Sequence, residues 1–447
     1  MIIQKFGGTS VGSPERMHSV ARLINDGKEK IVVLSAVTGT TNSLVEIGKA
    51  LYNMENEKAL KQINDLEKHY NIFIKNLYSS VKAKKSGNDF IKIHFDFIRG
   101  LTEDLFNIKK EKQLLSQGEL ISTGLFQIYL DEQKISSVLL PALNFMRVDK
   151  DGEPDYFYIS QNLNSELPAL WRGLAFGGRT KNSKLFITQG YITRNAYGEI
   201  DNLKRGGSDY SASIIGNAAN ASEIQIWTDI DGMHNNDPRI VKNTFPIAEL
   251  SFDEAAELAY FGAKILHPSS IIPAKIKNIP VWLKNTMQPQ AHGTLISTKS
   301  KGESIKAVAA KDGITAIKIK SGRMLLAYGF LRNVFEVFER YRTPIDMITT
   351  SEVAVSVTID DISHLNKITD ELKNFGSVEV DSELTIICIV GNFVADKQGY
   401  AMKVFDSLKN IPIRMISYGG SENNISLLVH SKHKKEALIA LNEGLFN

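Results

Sequence analysis

Two glycine pairs, each next to a basic residue, carry the chemistry for which this chain can be read. The first is Lys5-Phe6-Gly7-Gly8-Thr9-Ser10-Val11-Gly12, directly after an apolar start. Backbone N–H groups of paired glycines, backed by a helix N-terminus, bind anions, and Lys5 sets a full positive charge beside them. The order matches neither G-x-x-x-x-G-K-[ST] nor G-x-G-x-x-G, and alone it reads as a strand-to-helix turn with a surface lysine. A second pair, Lys204-Arg205-Gly206-Gly207-Ser208-Asp209, changes that weighing. Arg205 suits bidentate grip on a carboxylate. Ser208 and Asp209 suit helix caps, and Asp209 also suits the positioning of an ammonium such as that of Lys5, or of a metal ion. Glu119, in Ser116-Gln117-Gly118-Glu119, suits a cationic group or a helix start. Thr228 and Asp229 end an apolar run, Arg239 follows in Asp237-Pro238-Arg239, and Lys264 follows Gly262-Ala263. Arg239 and Lys264 taken singly are solvated surface cations. Taken with the glycine pairs they suit nucleotide-dependent phosphoryl transfer, which works by positioning and charge stabilisation.

Strands and helices must bring these residues together. Residues 1–50 read β-α-β-α. Ser13 is an N-cap, Pro14 fits the first helical position, and Asn25-Asp26-Gly27 stops the helix. A mostly apolar run, Ile31 to Val37, suits a strand buried on both faces, and a helix resumes at Ser43. Residues 52–130 read as a helical excursion. Strand-like runs return at Ser137 to Leu140, Lys184 to Tyr191, Glu223 to Thr228 and Pro280 to Leu283. Helices lie between them, notably Asp209 to Ala219 and Phe252 to Tyr260, the latter opened by the capping box Ser251-x-x-Glu254. Such alternation implies a parallel sheet covered on both faces, with ligands at the carboxyl ends of its strands. A polar linker, 297–302, precedes a change of character. Beyond it, strands at 314–319, 353–359, 384–390 and 425–429 alternate with helices at 330–341, 362–375, 400–408 and 434–445. That pattern suits β-α-β-β-α-β twice, two small ferredoxin-like units, with one larger α+β domain as the alternative.

Bulk properties exclude several classes. The chain has 447 residues, 53 basic and 50 acidic, for a net charge of +3, so charge makes no case for nucleic acid or a membrane surface. No apolar run approaches a membrane span, and the first residues read as a folded strand rather than a leader, which places the chain in the cytoplasm. The one cysteine, Cys388, sits in an apolar run and reads as a buried small hydrophobe. The histidines show no ligand-like pair, and no protein-held metal site is expected.

Six segments in order carry a specific resemblance: Lys5 to Val11, Ser116 to Glu119, Arg205 to Asp209, Trp227-Thr228-Asp229, Asp237-Pro238-Arg239, and Phe261 to Pro268. The chain resembles the aspartate kinases (aspartokinases), of the monofunctional, lysine-sensitive type with two ACT domains. That resemblance implies the amino-acid kinase (carbamate kinase-like) fold, a three-layer α/β/α domain with a mostly parallel sheet, over 1–297. Two ACT domains follow, one at 312–379 and one discontinuous, 303–311 with 380–447. Implied substrates are ATP, with nucleotide-bound Mg²⁺, and L-aspartate, giving 4-phospho-L-aspartate on the way to lysine, threonine and methionine. Lys5 and Asp209 take catalytic positions. Thr41, Glu119, Arg205 and Ser208 match aspartate positions, while Lys5, Gly7, Gly8, Thr228, Asp229, His234, Arg239 and Lys264 match nucleotide positions. Met324, Gly329, Phe330, Leu331, Asp346, Thr350, Ser351 and Glu352 match an effector stretch, so L-lysine is the expected allosteric partner. ACT pairing implies a homodimer or a dimer of dimers. Three departures stand out: Lys204 replaces a glycine common in relatives, His234 a tyrosine frequent at the nucleotide base, and Pro344 a serine. The rival readings are a kinase of the same fold acting on glutamate or a nucleoside monophosphate, and an amino-acid sensor without catalysis. A fusion to homoserine dehydrogenase fails on length.

Overall fold

The computed structural model describes residues 1–171, 184–203, 206–262, 266–299, 304–321, 328–392 and 398–446. They divide into two compact units, one of residues 1–233 with 266–300 and one of residues 234–265 with 301–447.

Strands of the first unit are β1 (Ile2–Phe6), β2 (Lys30–Leu34), β3 (Val138–Leu139), β4 (Leu185–Gln189), the hairpin β5 (Ile192–Arg194) and β6 (Ile200–Asn202), and β7 (Glu223–Thr228). Past β8 (Glu249–Ser251), which belongs to the second unit, come β9 (Val281–Asn285) and β10 (Thr294–Ser297). Within the unit the sheet runs β3-β4-β2-β1-β7-β9-β10. Every pairing is parallel except that of β10 with β9. β1 lies in its middle, so the residues just beyond Phe6 open onto the carboxyl ends of β2 and β7.

Alternation along β1 decides which side chain faces which layer. Phe6 pairs with Leu34 and Trp227, and these three join one core with α1 (Pro14–Ile24), α2 (Thr40–Tyr52), α3 (Asn56–Leu77), α4 (Val81–Gly100) and α5 (Ile108–Glu132). The last three account for the expected helical excursion. Ile3 and Lys5 point the other way. On that face, after α6 (Ala142–Phe145) and α7 (Tyr156–Trp171), α8 (Gly207–Ala218) packs close. Gly216 makes the approach possible, since a Cβ there would lie 2.6 Å from Ile224 Cδ1. Lys5 therefore faces α8, and the first turn of α8 carries Asp209.

Local signals acted largely as read. Ser13 accepts from the Arg16 N–H and Pro14 opens α1. Ser251 and Glu254 form both bonds of the capping box on α9 (Phe252–Tyr260). Ser208 and Asp209, by contrast, do not cap α8. Its N-cap is Gly206, at φ +76, and no side chain makes the cap bond. A left-handed backbone there favours glycine, and a Cβ would meet Ser270 Oγ at 2.3 Å. Likewise α2 starts at Thr40 behind Gly39, not at Ser43. The hairpin β5–β6, helix α7 and strand β10 had no counterpart in the periodicity. Short polar strands and a helix with a weak apolar stripe give little signal.

In the second unit one sheet runs β12-β13-β11-β14-β16-β15. Its strands are β11 (Ile305–Lys320), β12 (Ile348–Thr350), β13 (Ala354–Ile359), β14 (Ser377–Gly391), β15 (Met415–Tyr418) and β16 (Asn424–His430). Besides α9, and after α10 (Ile272–Ile276) of the first unit, the second unit has α11 (Phe330–Arg340), α12 (Leu365–Leu372), α13 (Tyr400–Ser407) and α14 (Lys434–Phe446). Helices α11 to α14 cover two separate cores, one around Ile317, Val337 and Ile368, the other around Ile387, Leu427 and Leu438. β11 and β14 pair along both halves, with register shifts between Lys311 and Ile314 and between Ile314 and Ala316. Those shifts break the alternation, which is why periodicity marks only the second half of β11 as strand. Cys388 is buried in β14, as its apolar run suggests.

Candidate active site

A cleft of about 520 Å³ opens at the carboxyl ends of β1, β2 and β7. Gly7, Gly8, Thr41, Glu119, Ser208, Thr228 and Asp229 all line it. Residues far apart in sequence thus share one cavity because central parallel strands end side by side.

Lys5 stands next to this cleft, beside the lining residue Gly7. Its ammonium lies 2.6 Å from Asp209 Oδ1, and both side chains are largely buried. A Cβ on Gly7 would stand 3.4 Å from that ammonium, so the glycine keeps side-chain bulk away from the charge. Asp209 occupies the first turn of α8, where the helix dipole favours a carboxylate. Two loops close around the glycines: Thr38 Oγ1 donates to the Gly8 carbonyl at 2.7 Å, and Ser10 Oγ donates to the Trp227 carbonyl at 3.3 Å. Ser10 also meets Thr286 Oγ1 at 2.7 Å.

Glu119 enters from α5 and is buried. Oε1 accepts the Ala36 N–H at 3.3 Å, while Oε2 has no hydrogen-bond partner among the described residues. Burial pushes its carboxyl up to about 8, against the opposing pull of the Ala36 N–H. The group needs a cation to complete it. Binding of an ammonium-bearing ligand should therefore strengthen with pH. We expect kcat/KM for such a substrate to rise between about pH 6.5 and 8.5, read from a steady-state pH series. A flat profile would count against Glu119 as the ammonium's partner. Linkage gives stability the opposite sign. The folded carboxyl keeps a proton that the unfolded chain loses near its ordinary value, so this contribution is full at low pH and is lost as pH rises through about 8.

Sequence reasoning passed over Tyr191, which also lines the cleft. Its φ of +65 is rare for an aromatic residue, and the backbone is held by its N–H to Ser211 Oγ at 2.8 Å and by its carbonyl accepting from Leu203. Burial, then the Glu119 charge, pushes its phenol up to about 12. Gly190 before it admits Ser208, since a Cβ at 190 would lie 2.4 Å from that side chain. A glycine interrupting a strand end was the available signal.

The remaining expected residues fall outside the described residues or in the second unit. Arg205 and Lys264, with the departure Lys204, lie outside the described residues, as does Met324 of the effector stretch. His234 and Arg239 belong to the second unit. His234 Nδ1 meets Thr244 Oγ1 at 2.9 Å, and the Arg239 guanidinium is bidentate on Asp237, at 2.9 and 2.7 Å. That pairing holds the Asp237 carboxyl below its ordinary range. In the effector stretch, Gly329 caps α11 at φ +86, and Phe330 is buried while Leu331 is exposed. Asp346 is buried, whereas Thr350, Ser351 and Glu352 lie at the surface or near it. Among the described residues no three His, Cys, Asp or Glu side chains gather as a metal-binding group. None of their helices is long and apolar enough to cross a membrane.

Comparison with known proteins bears on both units. An amino acid kinase family model matches residues 1–285, and an ACT domain model matches residues 387–445. The lysine-sensitive aspartokinase 3 of Escherichia coli is 33% identical, with 100% of this chain aligned to 99% of that protein. Among solved structures, E. coli aspartokinase III in complex with aspartate and ADP, termed the R-state, superposes with a TM-score of 0.84 at 32% identity, covering 100% of both chains. The same enzyme with lysine and aspartate, termed the T-state, gives 0.80, also at 32% identity and with 100% of both chains covered.

Proposed function

This chain belongs to the amino acid kinase family, among the aspartokinases, and from that premise we propose how its cleft works. The protein transfers the γ-phosphoryl group of ATP to the β-carboxylate of L-aspartate, giving ADP and 4-phospho-L-aspartate. This is the first step toward lysine, threonine and methionine. The observation that carries the site assignment is the Lys5 ammonium, held at 2.6 Å by Asp209 beside Gly7, which lines a cleft that also presents a buried, half-partnered carboxylate.

Chemistry at neutral pH needs no general base. The attacking β-carboxylate is already ionised, its side-chain pKa being about 4. One of its oxygens bonds to the γ-phosphorus as the bond from that phosphorus to the β,γ-bridging oxygen breaks. The electron pair leaves with ADP, and no proton moves. The barrier is repulsion between two anions, met by Lys5 and by the Gly8 N–H, the Gly7 N–H being given to the Trp227 carbonyl at 3.2 Å. Asp209 positions the ammonium. Glu119 takes the α-ammonium of aspartate, and Thr41, Ser208 and Arg205 hold its carboxylates. Thr228 and Asp229 serve the nucleotide. Mg²⁺ fits as a companion of the triphosphate, because it binds through phosphate oxygens and water with few protein carboxylates; bound there, it offsets phosphate charge.

The regulatory reading follows from the same relatives. L-lysine, bound around Asp346 in the effector stretch, inhibits the kinase. The domains divide as 1–297 for catalysis, 312–379 for one ACT unit and 303–311 with 380–447 for the other, and ACT pairing makes a homodimer or a dimer of dimers in the cytoplasm. One assay tests both halves. ADP release from ATP should require aspartate, should fall to background with glutamate or a nucleoside monophosphate as acceptor, and should decline as lysine is added. ADP release that ignores aspartate would remove the first half, and a response flat in lysine the second.

A further inference from the structure

We propose that Lys311 is a tethered competitor of the effector: its ammonium occupies the carboxylate that a cationic amino acid must take. The inference rests on the reading of Asp346 as an effector-binding group and adds a residue that sets how tightly the effector binds. The Asp346 side chain is completely buried. Its Oδ1 accepts the Tyr260 hydroxyl at 2.6 Å and the Lys311 ammonium at 2.7 Å. Its Oδ2 is buried as well and has no hydrogen-bond partner among the described residues. A buried carboxylate with one bare oxygen keeps acceptor capacity for an incoming ammonium.

Lys311 is placed to yield. It stands where the β11–β14 register slips, so its backbone is not locked into a regular ladder. A second acceptor is already in reach, Asp360 Oδ2 at 2.8 Å, on a side chain 40% exposed. The Tyr260 ring lies under the same ammonium at 4.4 Å. An ammonium between two carboxylates has two arrangements and is unpaired in neither. When a ligand ammonium takes Asp346, repulsion between like charges moves Lys311 onto Asp360, where solvent lowers the cost. The change is felt at Tyr260, which shares Oδ1 with Lys311. Tyr260 ends α9, and the same helix is tied to the sheet by Glu257, which accepts from Ser421 Oγ at 3.0 Å and Asn424 Nδ2 at 2.5 Å. Effector occupancy is thereby reported to the helix that directly precedes Gly262-Ala263-Lys264 in the chain.

Two substitutions carry opposite signs. Isothermal titration of L-lysine into the full-length protein should give a Kd roughly tenfold lower for Lys311→Met, the scale of one charge-assisted bond no longer contested. Asp360→Asn removes the resting place of Lys311 and should raise the Kd several-fold, roughly the worth of a partly exposed ion pair. Asp360 is exposed enough to be changed without threat to the fold, so it decides the matter should Lys311→Met fail to fold. Equal or weaker binding by folded Lys311→Met, or unchanged or tighter binding by Asp360→Asn, overturns the competitor role alone. No lysine binding by the unaltered protein overturns the lysine reading and this inference with it.

Discussion

Replacing Lys5 with alanine is expected to lower kcat by about 10³-fold, the scale of losing one group aimed at charge that develops in the transition state. KM for aspartate should stay within a few-fold, because other groups hold that substrate. The loss should be kinetic rather than structural. Lys5 lies near the carboxyl end of β1, its side chain alternates away from the core of Phe6, Leu34 and Trp227, and the Asp209 left behind retains some exposure. Circular dichroism should therefore show a folded protein. Lys5→Arg is the sharper control. It keeps the charge but spreads it over a planar fork in place of the compact ammonium that meets Asp209 at 2.6 Å, so most of the loss should remain. Steady-state kinetics within about tenfold of the unaltered enzyme, for either variant, would disprove this account of the transferring phosphoryl group.

Glu119→Gln should move activity and stability in opposite directions. The substitution keeps shape and the bond from the Ala36 N–H, yet removes the charge that an α-ammonium requires. Loss of a buried charge-assisted contact costs about 3 kcal/mol, so KM for aspartate should rise by about 10²-fold, with KM for ATP nearly unchanged. The folded protein, however, no longer pays for an unpaired carboxylate. Because burial pushes this group up to about 8, the penalty starts where the unfolded carboxyl ionises and grows until pH passes about 8, so the gain should be smaller at pH 6 than at pH 8.5. Thermal unfolding at the two pH values, without aspartate, reads the difference. A melting temperature that falls equally at both would mean that Glu119 serves the fold and not the substrate.

Much of this was legible in the chain. Ser13-Pro14 and Ser251-x-x-Glu254 marked their helices because caps are local chemistry, satisfied within one turn. The central strands were legible because continuous apolar runs suit burial on both faces. The cap of α8 was not, since it depends on Ser270 crowding position 206 from a distant segment. Tyr191 escaped for a related reason. Its left-handed backbone is imposed by Ser211 and Leu203, neither of them its sequence neighbour. The full length of β11 was hidden by register shifts that only a partner strand defines.

By itself, then, the sequence determined the kinds of groups present, the order of most elements and the kinship with aspartokinases. Those properties rest on side-chain chemistry and on periodicities that repeat within a few residues. Tertiary structure alone decided which charges meet. It set Lys5 on Asp209 and Lys311 between Asp346 and Asp360, and it drove Glu119 toward its neutral form. Ionisation and pairing depend on how much water is excluded and on what stands across the gap, and both exist only once distant segments have packed.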